Sequence, residues 1–237
     1  MKVLFIITAR GGSKGIPKKN IKILGKLPLI AYNIISAQKC NIKKRIIVST
    51  DDPEIAEVAL RYGAEVPFKR PKELATDEAS SIDVVIHAME WIEENDKEFY
   101  DYVCLLQPAA PFVTYKNIEE AIEIIQKNNS DTLLGVKEAD MNTVFIHELD
   151  ENGKLSYHYG AIQRLSSLRR QDMKKQYMLN GCIYIAKWEY MKVNKTFHGT
   201  NSEPYIMPRK QSIDIDNMED FEMAEWMIKN KMVEDLY

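Results

Sequence analysis

Cysteines, histidines and long apolar runs are scarce in this chain of 237 residues. The three cysteines, Cys40, Cys104 and Cys182, are widely spaced in apolar surroundings. This favours buried, reduced thiols in a cytoplasmic protein over disulfides or a zinc site. The four histidines show no metal-ligand spacing. No apolar run approaches the roughly 20 residues that span a bilayer, and the N-terminus has no signal-peptide architecture.

A large excess of charge of one sign is also missing. The formal net charge is −3, so the surface as a whole does not indicate a nucleic-acid partner. The chain is 45% hydrophobic and 28% charged, as ordinary globular proteins are. Its length suits one large α/β domain, or one domain that carries a smaller appendage, and it contains no internal repeat or low-complexity segment.

Residues 8–20 form a basic, glycine-containing stretch directly after the apolar run 3–7. Such a pattern is typical of a buried first strand that ends in a phosphate-binding loop. Glycines let the backbone approach a ligand and point its N–H groups at oxygen atoms. The stretch fits neither G-x-G-x-x-G nor G-x-x-x-x-G-K-[ST]. Taken alone, it leaves a solvated basic turn as the alternative. Its basic side chains, which suit a polyphosphate, are Arg10, Lys14, Lys18 and Lys19.

Hydrophobic periodicity predicts strands that alternate with helices. The predicted strands are 3–7, 45–50, 65–68, 102–106, 132–136 and 181–186. The predicted helices are 29–39, one from Asp52-Pro53 to Gly63, one starting at Ser80 or Ser81, 117–127, and one from about Met218. This alternation indicates an α/β fold, with a mostly parallel sheet covered by helices on both faces. Ligands bind at the carboxyl ends of the strands in such sheets, where the glycine loop, residues 49–51 and Gln107-Pro108 are expected.

The pattern changes after Asp140. Residues 144–149 and 155–159, with Asn152-Gly153 between them, predict a β-hairpin. A basic stretch, 163–175, follows and includes Arg164, Arg169 and Arg170. We therefore expect one domain, 1–237, that carries an inserted hairpin excursion at 140–177, with an oligomer contact as its expected role.

Asp214 and Asp216 alternate with two isoleucines, which places both carboxylates on one face of an extended segment. Carboxylate pairs of this kind suit Mg²⁺, which also takes substrate phosphate oxygens as ligands. The alternative is that one aspartate caps the helix near Met218. With the basic glycine loop elsewhere in the chain, the pair favours metal-assisted phosphoryl chemistry.

Other polar residues suit the remaining parts of a nucleotide substrate. Lys14 and Lys19 are suited to neutralising a triphosphate and the charge that develops on the transferring phosphorus. Arg70 and Ser81 flank a polar segment placed to read a base or ribose by hydrogen bonds. Gln107 lies at a strand end, and its side chain is suited to hydrogen-bond a sugar hydroxyl or amide. An equally weighted alternative is that Gln107 is a buried residue that fixes the Pro108 turn.

The motifs taken together resemble the acylneuraminate cytidylyltransferases (CMP-sialic acid synthetases), in order and from residue 3 to about 229. The matching blocks are 9–20 (ARGGSKGIPKKN), 48–51 (VSTD), 70–75 (RPKELA), 79–81 (ASS), 105–108 (LLQP), 170–172 (RQD), 180–184 (NGCIY) and 212–216 (SIDID). The resemblance implies a Rossmann-like nucleotidyltransferase fold and a homodimer. It also implies transfer of CMP from CTP to the anomeric hydroxyl of a nonulosonic acid, with Mg²⁺ and release of pyrophosphate.

The resemblance also assigns roles to particular residues. Lys19 is the main catalytic lysine, assisted by Arg10, Lys14 and Asp216. The nucleotide-binding residues are Arg10, Gly11, Ser13, Lys14, Asn20, Arg70, Ala79 and Ser81. The sugar-binding residues are Gln107, Arg170 and Asn180, and the metal ligands are Asp214 and Asp216.

Two departures from the family pattern concern the sugar. The chain has Asp140-Met141-Asn142-Thr143-Val144 where sialic acid enzymes commonly carry a His-Pro pair. It has Tyr177-Met178-Leu179 where some members place an arginine. Branches that use legionaminic or pseudaminic acid are therefore alternatives. A nucleotidyltransferase for another sugar or base is a less favoured alternative. A non-catalytic nucleotide-binding module is also less favoured, because simple binding does not require both Lys19 and the aspartate pair.

Overall fold

A six-stranded sheet forms the centre of the larger of two compact units. The structure is a computed structural model that describes residues 1–156 and 174–233. The larger unit comprises Met1–Val136 and Leu179–Tyr237, and the smaller unit is Lys137–Met178. Within the described residues, no helix combines the length and the apolar character that crossing a membrane requires.

The sheet strands run in the order β6-β4-β5-β3-β1-β2. These are β1 (Lys2–Thr8), β2 (Lys43–Ser49), β3 (Tyr102–Leu106), β4 (Thr132–Glu138), β5 (Tyr177–Lys187) and β6 (Ser202–Ile206). Strand β1 pairs in parallel with β2 and β3, and β6 pairs in parallel with β4. Strand β5 is antiparallel to β3. The predicted mostly parallel sheet is confirmed.

Helices cover the sheet on both faces, as expected. They are α1 (Leu29–Lys39), α2 (Pro53–Arg61), α3 (Ser81–Asn95), α4 (Tyr115–Lys127), α5 (Trp188–Asn194) and α6 (Met218–Lys229). On β1, Phe5 and Ile7 pack in a cluster with residues of α1, α2 and α4. Leu4 and Ile6 point into a second cluster, which contains residues of α3 and α5. Because both faces of β1 are buried, its sequence is continuously apolar.

Local sequence signals account for several boundaries. Asp52 caps α2, since its side chain accepts hydrogen bonds from the backbone N–H groups of Glu54 and Ile55 at 2.8 and 3.1 Å. Gly63 follows that helix with a φ of +84°. Ser80 caps α3 in the same way, by accepting from the N–H of Ile82. Helix α4 begins two residues before its predicted start, because Thr114 and Asn117 form a capping box.

One strand prediction is wrong, and another is confirmed only in part. Residues 65–68 form only a single bridge, between Glu65 and Ile47, because Pro67 has no N–H to continue a ladder. The predicted hairpin at 144–149 and 155–159 is reduced to Glu148–Leu149 paired with Leu155–Ser156. Its first half is a 3₁₀ turn, Thr143–Phe145, and residues 157–159 lie outside the described part of the chain. The sequence analysis also missed α5 and β6.

Candidate active site

A cavity of about 370 Å³ lies where β1 and β3 end. Four separate parts of the chain line it: the glycine loop, residues 70–84, residues 107–109, and Asp216. Most of the predicted site residues are among them, namely Arg10, Ser13, Lys14, Lys19, Asn20, Arg70, Ala79, Ser81, Gln107 and Asp216. The convergence that was expected at the carboxyl edge of the sheet is therefore present.

The glycine loop is held in place by hydrogen bonds to its own backbone. The N–H of Gly11 donates to Oδ1 of Asp51 at 3.0 Å. The buried Asn20 donates from Nδ2 to the carbonyl of Arg10 at 2.9 Å. A Cβ on Gly11 would lie 2.7 Å from Oδ2 of Asp52. Gly11 thus packs against residues 51 and 52 and is not among the residues that line the cavity.

The C-terminal aspartate segment is attached directly to this loop. Nζ of Lys19 donates to the carbonyl of Ile215 at 2.6 Å and lies 3.9 Å from Oδ1 of Asp216. A Cβ on Gly15 would lie only 2.1 Å from the carbonyl oxygen of Asp216, so this approach requires glycine. The N–H of Ile215 donates to the carbonyl of Ala109, beyond the end of β3. Lys19 therefore serves both as a cation at the cavity and as an anchor for the aspartate segment.

Asp214 and Asp216 are both exposed, whereas Ile215 between them is fully buried. The predicted alternation holds, although the segment is not a sheet strand. Neither aspartate caps helix α6, which was the alternative role. The cap is Asn217, which forms a capping box with Asp220 at the start of that helix. Asp216 lines the cavity, and Oδ2 of Asp214 lies 3.0 Å from where a Cβ on Gly181 would stand.

The donor set at this position fits Mg²⁺ better than a soft metal. Across the described ranges, no three His, Cys, Asp or Glu side chains cluster as a complete metal site. Mg²⁺ is commonly held by one or two carboxylates, with substrate phosphates and waters as its other ligands. The exposed carboxylate of Asp216, beside Lys19 of the basic loop, matches that requirement, and the exposed Asp214 is two residues away in sequence.

Arg70 is a buried cation in the cavity wall. It is 4% exposed, and its guanidinium donates to Oγ of Ser49 at 3.1 Å and to the carbonyl of the same residue. Burial lowers the pKa of Arg70 to about 10, while Asp51 opposes this shift. The group remains charged near neutral pH. A buried guanidinium is costly unless acceptors surround it, so Arg70 favours a ligand that presents oxygen atoms here.

Arg10 and Lys14 share one carboxylate that the sequence analysis did not single out. Nη2 of Arg10 lies 2.6 Å from Oδ1 of Asp77, and Nζ of Lys14 lies 2.5 Å from Oδ2. Arg10 also donates from Nη1 to the carbonyl of Thr76 at 2.7 Å. The hydrogen bond from Lys14 is the main cause of the lowered pKa of Asp77.

Gln107 has its backbone fixed separately from its side chain. Its carbonyl accepts from Nδ2 of Asn33 at 2.7 Å and from the N–H of Ala110 at 3.0 Å. Asn33 is fully buried in α1, and the sequence analysis missed it because it sits among apolar helix residues. The half-buried Gln107 side chain lines the cavity, with Oε1 3.9 Å from the Cβ position of Gly181. Because these backbone contacts hold the turn, the side chain is available to a ligand.

One predicted sugar-binding residue, Asn180, does not line this cavity. Asn180 is buried, donates from Nδ2 to Oγ of Ser212 at 3.0 Å, and accepts from the N–H of Cys182 at 3.1 Å. Its side chain therefore links β5 to the segment that precedes Asp214. Arg170 lies outside the described residues.

The contact between Gly15 and Asp216 predicts unequal effects of two similar substitutions. Gly15→Ala should lower the free energy of unfolding by about 1–3 kcal/mol, because the new methyl overlaps a backbone oxygen. Gly12→Ala is the control, since a Cβ there meets nothing within 4 Å, and its effect should stay within about 0.5 kcal/mol. Urea denaturation followed by circular dichroism measures both. Equal stabilities would contradict the close approach.

Comparison with known proteins agrees with this geometry. The chain is 38% identical to the pseudaminic acid cytidylyltransferase of Campylobacter jejuni, over 97% of each chain. It is 35% identical to the CMP-N,N'-diacetyllegionaminic acid synthase of Legionella pneumophila, over 99% of this chain and 97% of the relative. It is also 35% identical to the N-acylneuraminate cytidylyltransferase of Escherichia coli, over 100% of this chain and 55% of that relative.

Solved structures support the fold. A CMP:2-keto-3-deoxy-manno-octonic acid synthetase complexed with CTP superposes with a TM-score of 0.71 at 15% identity, covering 98% of this chain and all of that one. The predicted nucleotidyltransferase fold is confirmed. The cytidylyltransferase family model matches residues 4–233, nearly the whole chain. The chain belongs to the cytidylyltransferase family.

Proposed function

We propose that this enzyme transfers CMP from CTP to the anomeric hydroxyl of a nonulosonic acid and releases pyrophosphate. The observation that carries the proposal is the convergence of the basic glycine loop, Gln107 and Asp216 on one cavity. The curated relatives act, by name, on pseudaminic, legionaminic and acylneuraminic acids at similar identities. These acceptors share the nonulosonic acid skeleton, which is the acceptor class proposed here.

The reaction requires an in-line displacement at the α-phosphorus of CTP. A bond forms from the anomeric oxygen to this phosphorus, and the bond from the α-phosphorus to the bridging oxygen of the leaving pyrophosphate breaks. Arg10, Lys14 and Lys19 are proposed to hold the triphosphate and offset the charge that develops in the transition state. Gln107 is proposed to orient the sugar acid, so that the reacting atoms are aligned.

The cytidine end of the nucleotide is assigned to other residues of the cavity lining. Arg70, Ala79 and Ser81 line the cavity and are proposed to hold the cytidine, together with Asn20. The buried Arg70 guanidinium matches the carbonyl oxygen of a pyrimidine or a ribose hydroxyl. Asn20 is proposed to act through the loop, since its amide already donates to the carbonyl of Arg10.

Asp214 and Asp216 are proposed to hold Mg²⁺, which when bound would neutralise phosphate charge. Asp216 is also proposed to assist deprotonation of the attacking hydroxyl, since its exposed carboxylate stands at the cavity. The 3.9 Å approach of Lys19 keeps a cation beside that carboxylate.

The proposal predicts pyrophosphate release that depends on both substrates. Pyrophosphate should appear with CTP and Mg²⁺ only when a nonulosonic acid is present, and EDTA should stop it. A panel of pseudaminic, legionaminic, N-acetylneuraminic and octulosonic acids identifies the acceptor. UTP, GTP and ATP serve as nucleotide controls. Absence of release with every acceptor would overturn the proposal.

A pair of adjacent lysines tests the residue assignment. Lys19→Met should reduce the turnover rate by at least about 100-fold, because it removes a cation from the transition state. Lys18→Met is the matched control, since Nζ of Lys18 pairs with the exposed Glu54 at 2.6 Å and is not part of the cavity wall. Circular dichroism of both variants confirms that they fold. Near wild-type turnover in Lys19→Met would contradict the role of Lys19.

A homodimer is proposed through the smaller unit, Lys137–Met178. Its described part exposes a set of large apolar side chains: Met141, Phe145, Ile146, Leu149, Leu155, Tyr177 and Met178. An accumulation of apolar side chains on one small unit is typical of a protein–protein contact. A second copy of the chain is the partner that the family resemblance implies. The cytoplasmic location stays a prediction, with all three cysteines buried as free thiols.

The dimer predicts a mass of twice 27.4 kDa in sedimentation at micromolar concentration. Ile146→Glu combined with Leu149→Glu should shift the mass towards that of the monomer, because it buries charge at the contact. Leu60→Glu is the control, since Leu60 is 58% exposed on α2 in the larger unit. A monomeric wild-type chain, or a double variant that stays dimeric, would contradict this assignment.

A further inference from the structure

The carboxylate of Asp77 lies where the phosphate groups of the proposed substrate would bind. Its two carboxylate oxygens each contact a different cation, Arg10 at 2.6 Å and Lys14 at 2.5 Å. Both cations line the cavity, and Asp77 lines it with them. One carboxylate thus bridges the two basic groups of the glycine loop in the way a phosphate group would.

The ion pairs of Asp77 with Arg10 and Lys14 are exposed enough for a polyphosphate to replace the carboxylate. The side chains are 30% exposed for Arg10, 79% for Lys14 and 41% for Asp77. Exposed ion pairs of this kind are weak, because water and salt screen them. A polyphosphate brings several charges and many acceptor oxygens to the same two cations, so it competes effectively against one carboxylate.

The segment that carries Asp77 is also free of buried side chains. Residues 76–80 are exposed or partly exposed throughout. Both of its ends are anchored: a 3₁₀ turn, Lys72–Leu74, precedes it, and Ser80 caps α3 after it. Moving Asp77 away from the loop therefore uncovers no core surface, and the flanking anchors keep the segment near the cavity.

We propose that Asp77 is an internal counter-anion that occupies the phosphate cradle of the free enzyme and is displaced when a polyphosphate binds. This inference rests on the proposed function, in that the glycine loop holds the triphosphate of CTP. It adds a regulation of that site: the affinity for polyphosphate is set partly by the cost of displacing Asp77. The same carboxylate would return to Arg10 and Lys14 as pyrophosphate leaves, which assists product release.

The test uses inorganic tripolyphosphate, which has neither base nor sugar. Titration calorimetry on the full chain should show that Asp77→Asn binds it about three- to tenfold more tightly than the wild type does. Glu78→Gln is the matched control, since it removes the same charge from the neighbouring exposed residue. An unchanged or weaker affinity in Asp77→Asn, or an equal gain in Glu78→Gln, would overturn the proposal.

A second comparison locates the effect. In a Lys14→Ala background, Asp77→Asn should give a smaller gain than in the wild type, because one of the two contacts is already absent. An undiminished gain would mean that Asp77 does not act through Lys14. Results of this kind are independent of catalysis. A chain that shows the expected gains without CTP-dependent pyrophosphate release contradicts the proposed function alone, and active enzyme without the gains contradicts the role of Asp77 alone.

Discussion

The site depends on one contact between distant parts of the chain, the close approach of the Asp216 backbone to Gly15. Lys19 reinforces it by donating to the carbonyl of Ile215, 196 residues away in sequence. The Ile215 side chain is buried and fixes the aspartate segment, while the carboxylate of Asp216 remains at the cavity. Without this contact, the glycine loop and the proposed metal ligands would belong to unconnected segments.

The second constraint is the balance of charge inside the cavity. The chain is slightly acidic overall, yet Arg10, Lys14, Lys19 and Arg70 converge on one cavity. Two of these cations share Asp77, one stands beside Asp216, and one is buried against Ser49. Each of these contacts offsets part of the positive charge of the site, and the proposed phosphate binding requires that phosphate oxygens compete with them.

The parts of the fold that could be predicted from sequence are those governed by local interactions. Helix α1, strand β3 and the caps at Asp52 and Ser80 depend on neighbouring residues, so periodicity and capping residues located them. The false strand at 65–68 shows the limit of this reasoning, because a short apolar run does not reveal whether a partner strand continues. The missed strand β6 pairs with β4, from which it is distant in sequence.

The residues of the candidate site also differ in whether local sequence or only tertiary contacts could identify them. The loop cations, Gln107 and the aspartate pair were predicted because their residue types and spacing suit phosphate and metal binding. The structure places Arg10, Lys14, Lys19, Gln107 and Asp216 around one cavity. Asn33 and Asp77 were missed because their roles come only from tertiary contacts, one to the carbonyl of Gln107 and one to two loop cations. Asn180 shows the opposite case: its motif is recognisable in the sequence, but the hydrogen bonds of its amide to Ser212 and Cys182 come from the fold.

The central claim is that one cavity holds the triphosphate on the glycine loop and the metal on the aspartate pair. A crystal structure of the enzyme with CTP and Mn²⁺, in which anomalous scattering locates the metal, tests it most directly. We expect the triphosphate against Arg10, Lys14 and Lys19, and the Mn²⁺ peak between those phosphates and the carboxylates of Asp214 and Asp216. A triphosphate bound elsewhere, or a metal held away from both aspartates, would contradict it.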